Sequence, residues 1–151
     1  MSASASLPSS PLIPALFQDL FVHEALHHLR RDDPADSLAL IESFGLQFGA
    51  IAVGQHANVA TFPMALQLIA KTLWPRLFGH AAEISDHVLE DGDFLLFRRH
   101  RERTALHSQL AVFAVCVVRG ILQKLQFPCD VVFDSHGTSI GKLRIVISPP
   151  T

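Results

Sequence analysis

Apolar and polar residues alternate along this chain in a way that marks out helices first and strands late. Pro14 can open a helix in which Phe17, Leu20, Phe21, Leu26 and Leu29 recur at three- and four-residue spacing. Asp32-Asp33-Pro34 ends it. A second helix, capped by Asp36 or Ser37, runs to about Gln55. Leu38, Leu40, Ile41, Phe44, Leu46, Phe48, Ile51 and Val53 cover almost every face of it. A helix apolar all round is buried on all sides, so one side of it is expected to meet a second subunit. Gly45 and Gly49 lie four apart and permit close approach of another helix.

Thr61 and Pro63 start a third helix through Leu66, Ile69, Leu73, Trp74 and Leu77, with Pro75 disturbing its end and Gly79 stopping it. His87 to Glu90 and Phe94 to Phe97, joined at Asp91-Gly92, read as a hairpin, because an Asp-Gly pair between β-prone runs favours a tight turn. Arg98 to Arg103 reads as a basic link. Leu106 to Leu125 reads as a long apolar helix, broken by Arg119 beside Gly120. Two β-branched strands follow, Val131 to Phe133 and Leu143 to Ile147, turned at His136-Gly137-Thr138. Segregated hairpins build an antiparallel sheet, so the expected class is α+β: helices packed on one face of a small antiparallel sheet built from two hairpins. Residues 1–13, rich in Ser, Ala and Pro, are expected to be a disordered tail, with a single domain over 14–151.

Composition sharpens the picture of an interaction module. The chain has 151 residues, enough for one domain with a full core. Its hydrophobic content is 49% and its mean hydropathy +0.31, high for a domain of this size. The surplus calls for a partner, a ligand cavity or a membrane. The run Leu110 to Val118 is far short of the ~20 apolar residues that a bilayer-crossing helix needs. A net charge of -2 gives no global field for nucleic acid. Cys116 and Cys129 lie in apolar segments without metal or redox spacing and read as buried free thiols in a reducing compartment. The first residues carry no secretory pattern, which makes a cytosolic protein the expectation.

Candidate chemistry is sparse. His23-Glu24-Ala25-Leu26-His27 matches the HExxH pattern, in which two histidines on one helix face hold zinc and the glutamate polarises water. Arg30, Arg31 and Asp32 follow where the extended form needs glycine and a third histidine. A solvent-facing histidine stripe is the reading preferred here, with a zinc hydrolase as the weakest alternative, and no metal is expected. The neighbouring His27-His28 pair could bind a metal adventitiously or titrate near neutral pH, and the plainer reading without a function is preferred. The basic cluster Arg98, Arg99, Arg101 and Arg103 could meet an acidic partner or lipid headgroups; the plainer reading is a solvated link. Arg119 needs a carboxylate or backbone carbonyls to offset its apolar setting. Trp74 fits a core stripe better than an interface anchor. The residues offer no nucleophile, phosphate loop or acid pair, so neither an enzyme nor a cofactor is expected.

The order of these pieces resembles the small subunits of the TRAPP vesicle-tethering complex, and most closely its subunit 6 branch. The resemblance rests on Leu40 to Gly49, on Lys71 to Trp74 with Leu77-Phe78, and on the segment Val88 to Phe97. Phe113 to Leu122 with Arg119-Gly120, and Lys142 to Ile147, complete it. It implies a non-enzymatic scaffold subunit that dimerises with a related small subunit, as a homodimer or heterodimer, through its first two helices. The implied contact residues are Phe17, Leu20, Phe21, Leu38, Ile41, Phe44, Gly45, Phe48 and Ile51. It further implies a larger tethering complex that acts on a Rab-type GTPase, with cytoplasmic, peripheral localisation at Golgi and ER-Golgi membranes reached through that complex. A sister branch of the family carries an acyl chain on a cysteine just after the second helix. His56 to Thr61 holds no cysteine here, so no acylation is expected. The runner-up is a small hydrophobic-ligand-binding domain of the same fold.

Overall fold

The computed structural model describes residues 34–54, 59–99, 107–134 and 142–149. The predicted first helix lies outside them, as does the turn at His136-Gly137-Thr138.

Helix α1 spans Pro34–Val53. It begins two residues before the expected Asp36 cap, because proline suits a first helical position: its fixed φ fits, and its missing N–H would be unpaired there anyway. Gly54 ends the helix with φ +54, in the left-handed region. Helix α2, Phe62–Leu68, is capped by Thr61, whose Oγ1 accepts from Met64 N at 3.3 Å. The helix then widens into a π turn at Ile69–Leu73 before α3, Trp74–Phe78, which closes on Gly79 at φ +93. Pro75 accounts for the wide turn. It has no N–H to offer, and Trp74 N bonds back five residues to Ile69 O. The Ala70 carbonyl is thereby freed, and it accepts instead from Ala82 N at 3.0 Å. Lys71 Nζ donates to Ala82 O at 3.2 Å, so both backbone groups of Ala82 dock the incoming chain on the helix.

Strand β1 is Glu83–Ser85 and β2 is Val88–Asp91. Here the structure corrects the expected hairpin. The turn is Asp86-His87, both residues at positive φ (49° and 65°), a pair that suits a two-residue hairpin. Phe94 is not a strand residue, and α4 occupies Leu95–Arg99. Phe94, Leu95, Leu96 and Phe97 are all buried, and a continuous apolar run of four has no period to separate helix from strand. The basic segment that follows therefore leaves a helix rather than a strand.

Helix α5, His107–Lys124, leads to β3, Val131–Phe133, and β4, Leu143–Ile147, at the expected positions. The antiparallel sheet runs β1-β2-β4-β3. Its register puts Leu89, Asp91, Val131, Leu143, Ile145 and Ile147 on the buried side. Glu90, Arg144, Val146 and the exposed Val132 face outward. Helices cover one face of this small single domain, as the alternation in β4 implies. Bonds at Ser148 N to Asp130 O and Asp134 N to Arg144 O turn the Val131 carbonyl toward the open edge of β3. Arg119 Nη2 donates to that carbonyl at 3.2 Å, which gives the lone arginine of α5 its partner.

Candidate interaction surface

The face of α1 that the chain uses for itself is set by residue size. Ile41, Gly45, Gly49 and Val53, four apart, are buried, a stripe that runs along one side of a helix with 3.6 residues per turn. The stripe lies on α5. A methyl group at Gly45 would come within 2.6 Å of Cys116 Cβ, and one at Gly49 would run into the Val117 carbonyl. From the other side, a methyl at Gly120 would strike the backbone of Leu46. The two backbones meet at these glycines, so dispersion contacts are made along both helices.

This arrangement divides the residues expected to meet a partner. Ile41 and Gly45 are buried within the chain, and Gly45 lies against the backbone of α5. Phe44 and Phe48 are half-buried shoulders, and the Phe48 ring lies 6.3 Å from that of Phe113 on α5. Leu38 is 38% exposed and Ile51 is 73% exposed. The ridge opposite the buried stripe is Ala39, Ser43, Gln47 and Ile51. It is therefore not apolar all round, as the sequence pattern implied: Gln47 Nε2 donates to Ser43 Oγ at 3.4 Å in its middle. Phe17, Leu20 and Phe21 lie outside the described residues.

The other candidate sites separate as follows. His23, Glu24, His27 and His28 lie outside the described residues, and so do Arg101 and Arg103. Among the described residues no group of three or more His, Cys, Asp or Glu side chains is placed to hold a metal ion. None of the described helices is long and apolar enough to cross a membrane. Arg98 donates from Nη1 to Asp93 Oδ2 at 3.0 Å on the surface, a local pair of small energetic weight. Arg99 closes α4. Cys116 is buried beneath Gly45, and burial pushes its thiol up, with Arg119 opposing and Glu42 adding to the shift. Cys129, half-buried, is also pushed up by burial and by Asp130. Neither falls between Gly54 and Thr61.

One arrangement had no signal in the sequence. Asp91 is 1% exposed at the end of β2, and three donors converge on its carboxylate. Trp74 Nε1 donates to Oδ2 at 2.8 Å, His80 Nε2 to Oδ1 at 2.6 Å, and Asp93 N to Oδ1 at 3.0 Å. A carboxylate in an apolar corner is tolerated when its lone pairs are filled in this way. The surrounding rings, Trp74, Phe78, Phe94 and Phe97, pack in sequence, tilted or edge to face, with centroids 4.3 to 5.0 Å apart at their close contacts. Trp74 is thus a core residue, and the cluster holds α3, β2 and α4 together.

A model of the transport protein particle (TRAPP) component family matches residues 20–146. No curated protein matches the chain in sequence. Among solved structures, the fold is similar to that of trafficking protein particle complex subunit 3 from Naegleria fowleri, a protein covalently bound to palmitic acid. The TM-score is 0.66 at 12% identity, covering 93% of this chain and 98% of that one. Identity that low speaks for the shared fold alone.

Proposed function

Because this chain belongs to the TRAPP component family, we propose that it is a non-enzymatic scaffold subunit that pairs with a related small subunit across the outward face of α1. The observation that carries this reading is the division of α1. Its glycine stripe is consumed by α5, yet Ile51 stands exposed on the opposite ridge, with Phe44 and Phe48 half-buried on the shoulder beside it. A monomer gains nothing from leaving Ile51 in water, whereas a partner helix laid along the ridge removes it. The same surface answers the surplus of apolar residues in the composition.

Within such a complex the subunit contributes to vesicle tethering, and to exchange on a Rab-type GTPase indirectly, by holding neighbouring subunits in place. Its place is cytoplasmic and peripheral, at Golgi and ER-Golgi membranes, reached through the assembly. The subunit 6 branch fits the sequence pieces at Leu40 to Gly49 and at Arg119-Gly120. The palmitate of the Naegleria protein has no counterpart just after α1, because Gly54 to Thr61 contains no thiol to carry it.

Sedimentation equilibrium of the full chain, alone and mixed with a TRAPP subunit 3, tests the pairing. A stable interface buries ~1,600 Å² in total, so micromolar protein should associate in at least one arm. Ile51→Glu should abolish the association, because it places a charge in a desolvated contact, while the folded monomer survives. A wild-type chain that stays monomeric in both arms would defeat the proposal.

A further inference from the structure

An open sheet ends in outer strands whose N–H and C=O groups invite a further strand. Here the outer strands are β1 and β3. At β1 the π turn withdraws the invitation. The pairing of β1 with β2 turns the backbone groups of Ala82 and Ile84 away from the sheet. Ala82 N donates to Ala70 O at 3.0 Å and Ala82 O accepts from Lys71 Nζ at 3.2 Å. Only Ile84 is left on that edge, between the exposed Glu83 and Ser85. At β3, Asp134 N donates to Arg144 O at 2.8 Å and Ser148 N to Asp130 O at 2.9 Å. Asp130, Val132 and Asp134 therefore carry the bonds to β4, and Val131 and Phe133 turn theirs outward. This is the edge more open to pairing. Val131-Val132-Phe133 is β-prone throughout and uncharged, with Val132 58% exposed. One group on it is taken: Arg119 Nη2 reaches from α5 to Val131 O at 3.2 Å.

We infer that Arg119 guards this edge, its guanidinium standing where β3 of a second copy of this chain would add. The strand itself defines that occupant. Antiparallel pairing about a two-fold axis sets Val132 opposite Val132 of the second copy. Phe133 N of each copy then donates to Val131 O of the other, and Val131 N to Phe133 O. Val131 O is the acceptor that Arg119 already holds. An added strand must displace the guanidinium, or enclose its charge with no carboxylate among the three pairing residues, and either counts against it. A methionine at this position of α5 would fill similar space and leave the carbonyl free. The charge that interrupts the apolar run of α5 thus keeps the sheet finite, as charges on outer strands do. The inference is independent of the reading of α1 as a contact face.

Sedimentation equilibrium of the full chain tests it, comparing wild type with Arg119→Met, which removes the donor, and Arg119→Lys, which keeps one. Each is read as a change in self-association relative to wild type, so pairing through α1, common to all, cancels. Arg119→Met should raise the association constant about tenfold, the worth of the hydrogen bond regained. Arg119→Lys should stay near wild type. Adding Val132→Lys to Arg119→Met sets two ammonium groups directly opposite across the seam and should restore the wild-type value. Adding Met64→Lys instead, at an exposed site on α2, supplies the same charge away from the edge and should leave the association in place. A chain that merely misfolds would keep aggregating with lysine at either position, because both sites are exposed and neither change repairs a core. The guard is overturned if Arg119→Met, with an unchanged thermal midpoint, associates no more than wild type. It is equally overturned if Val132→Lys fails to reverse the association, or if Met64→Lys reverses it as well.

Discussion

The α1–α5 crossing and the corner around Asp91 close the same core by opposite means. At the crossing, side chains are withdrawn: Gly45, Gly49 and Gly120 let two helix backbones touch, and close contact along their length does the rest. At the corner, polar groups are brought in: a buried carboxylate gathers an indole, an imidazole and a backbone N–H amid four aromatic rings. The first kind of contact depends on distance and is indifferent to chemistry. The second depends on particular donors and tolerates no exchange of atoms. The crossing also has an outward side left to be used, which is where the scaffold reading places the partner.

The corner should be the more costly to break. Asp91→Ala removes the acceptor for three donors and leaves the Trp74 N–H buried without one. That should lower unfolding free energy by about 3 kcal/mol, since each stranded buried donor costs ~1–3 kcal/mol. Urea unfolding followed by Trp74 fluorescence reads it directly, because the reporter lies in the damaged cluster. Asp91→Asn, which keeps an acceptor for Trp74, should lose clearly less. A loss under 1 kcal/mol for the alanine variant would mean that the rings alone hold the corner.

Gly49→Ala attacks the crossing by adding a single carbon. The new methyl meets the Val117 carbonyl and Ile121 N, both backbone atoms that cannot rotate away. The helices must part, and overpacking of this kind costs about 2 kcal/mol. The same change at Gly92 meets no atom within 4 Å, so it serves as the control for the general effect of replacing glycine. Equal losses at the two positions would show that helix contact is not what Gly49 provides.

These two regions were unequally legible in the sequence. The glycine spacing on α1 announced a close helix crossing, although not which helix: the pattern fits an outside partner as well as α5, and Gly45 lies against α5. Strands β3 and β4 were legible because β-branched residues cluster and alternate in them. Thr61 and Gly79 marked the ends of the helical segment they flank, because capping chemistry is local. The corner was not legible. Asp91-Gly92 carries the strongest local turn signal in the chain, but the Asp91 side chain is claimed by Trp74 and His80, which lie 17 and 11 residues earlier. The chain does turn at Gly92-Asp93, where Asp93 N donates to Asp91 Oδ1, but the apolar run after it is helical, and the hairpin forms at Asp86-His87 instead. The polar ridge of α1 was visible residue by residue. That it faces outward emerged only when the buried stripe fixed which face remained outside.

The finest separation of the two regions uses pH. Cys116 lies under Gly45 at the crossing, and burial raises its thiol above the ordinary range, only partly countered by Arg119. The folded chain therefore holds this proton more tightly than the unfolded chain does. The stabilisation is complete below the thiol range of the unfolded chain, near 9.0, and is lost as pH rises from there through the folded value. Urea midpoints measured from neutral to alkaline pH should fall, and the fall should be shallower in Cys116→Ala. Cys129 shifts in the same direction and is present in both proteins, so the difference between the two curves belongs to the crossing. Parallel curves would mean that the helices part readily enough to hydrate the thiolate. The crossing would then be a loose contact, and the face it presents to a partner would be less rigid than the glycine geometry implies.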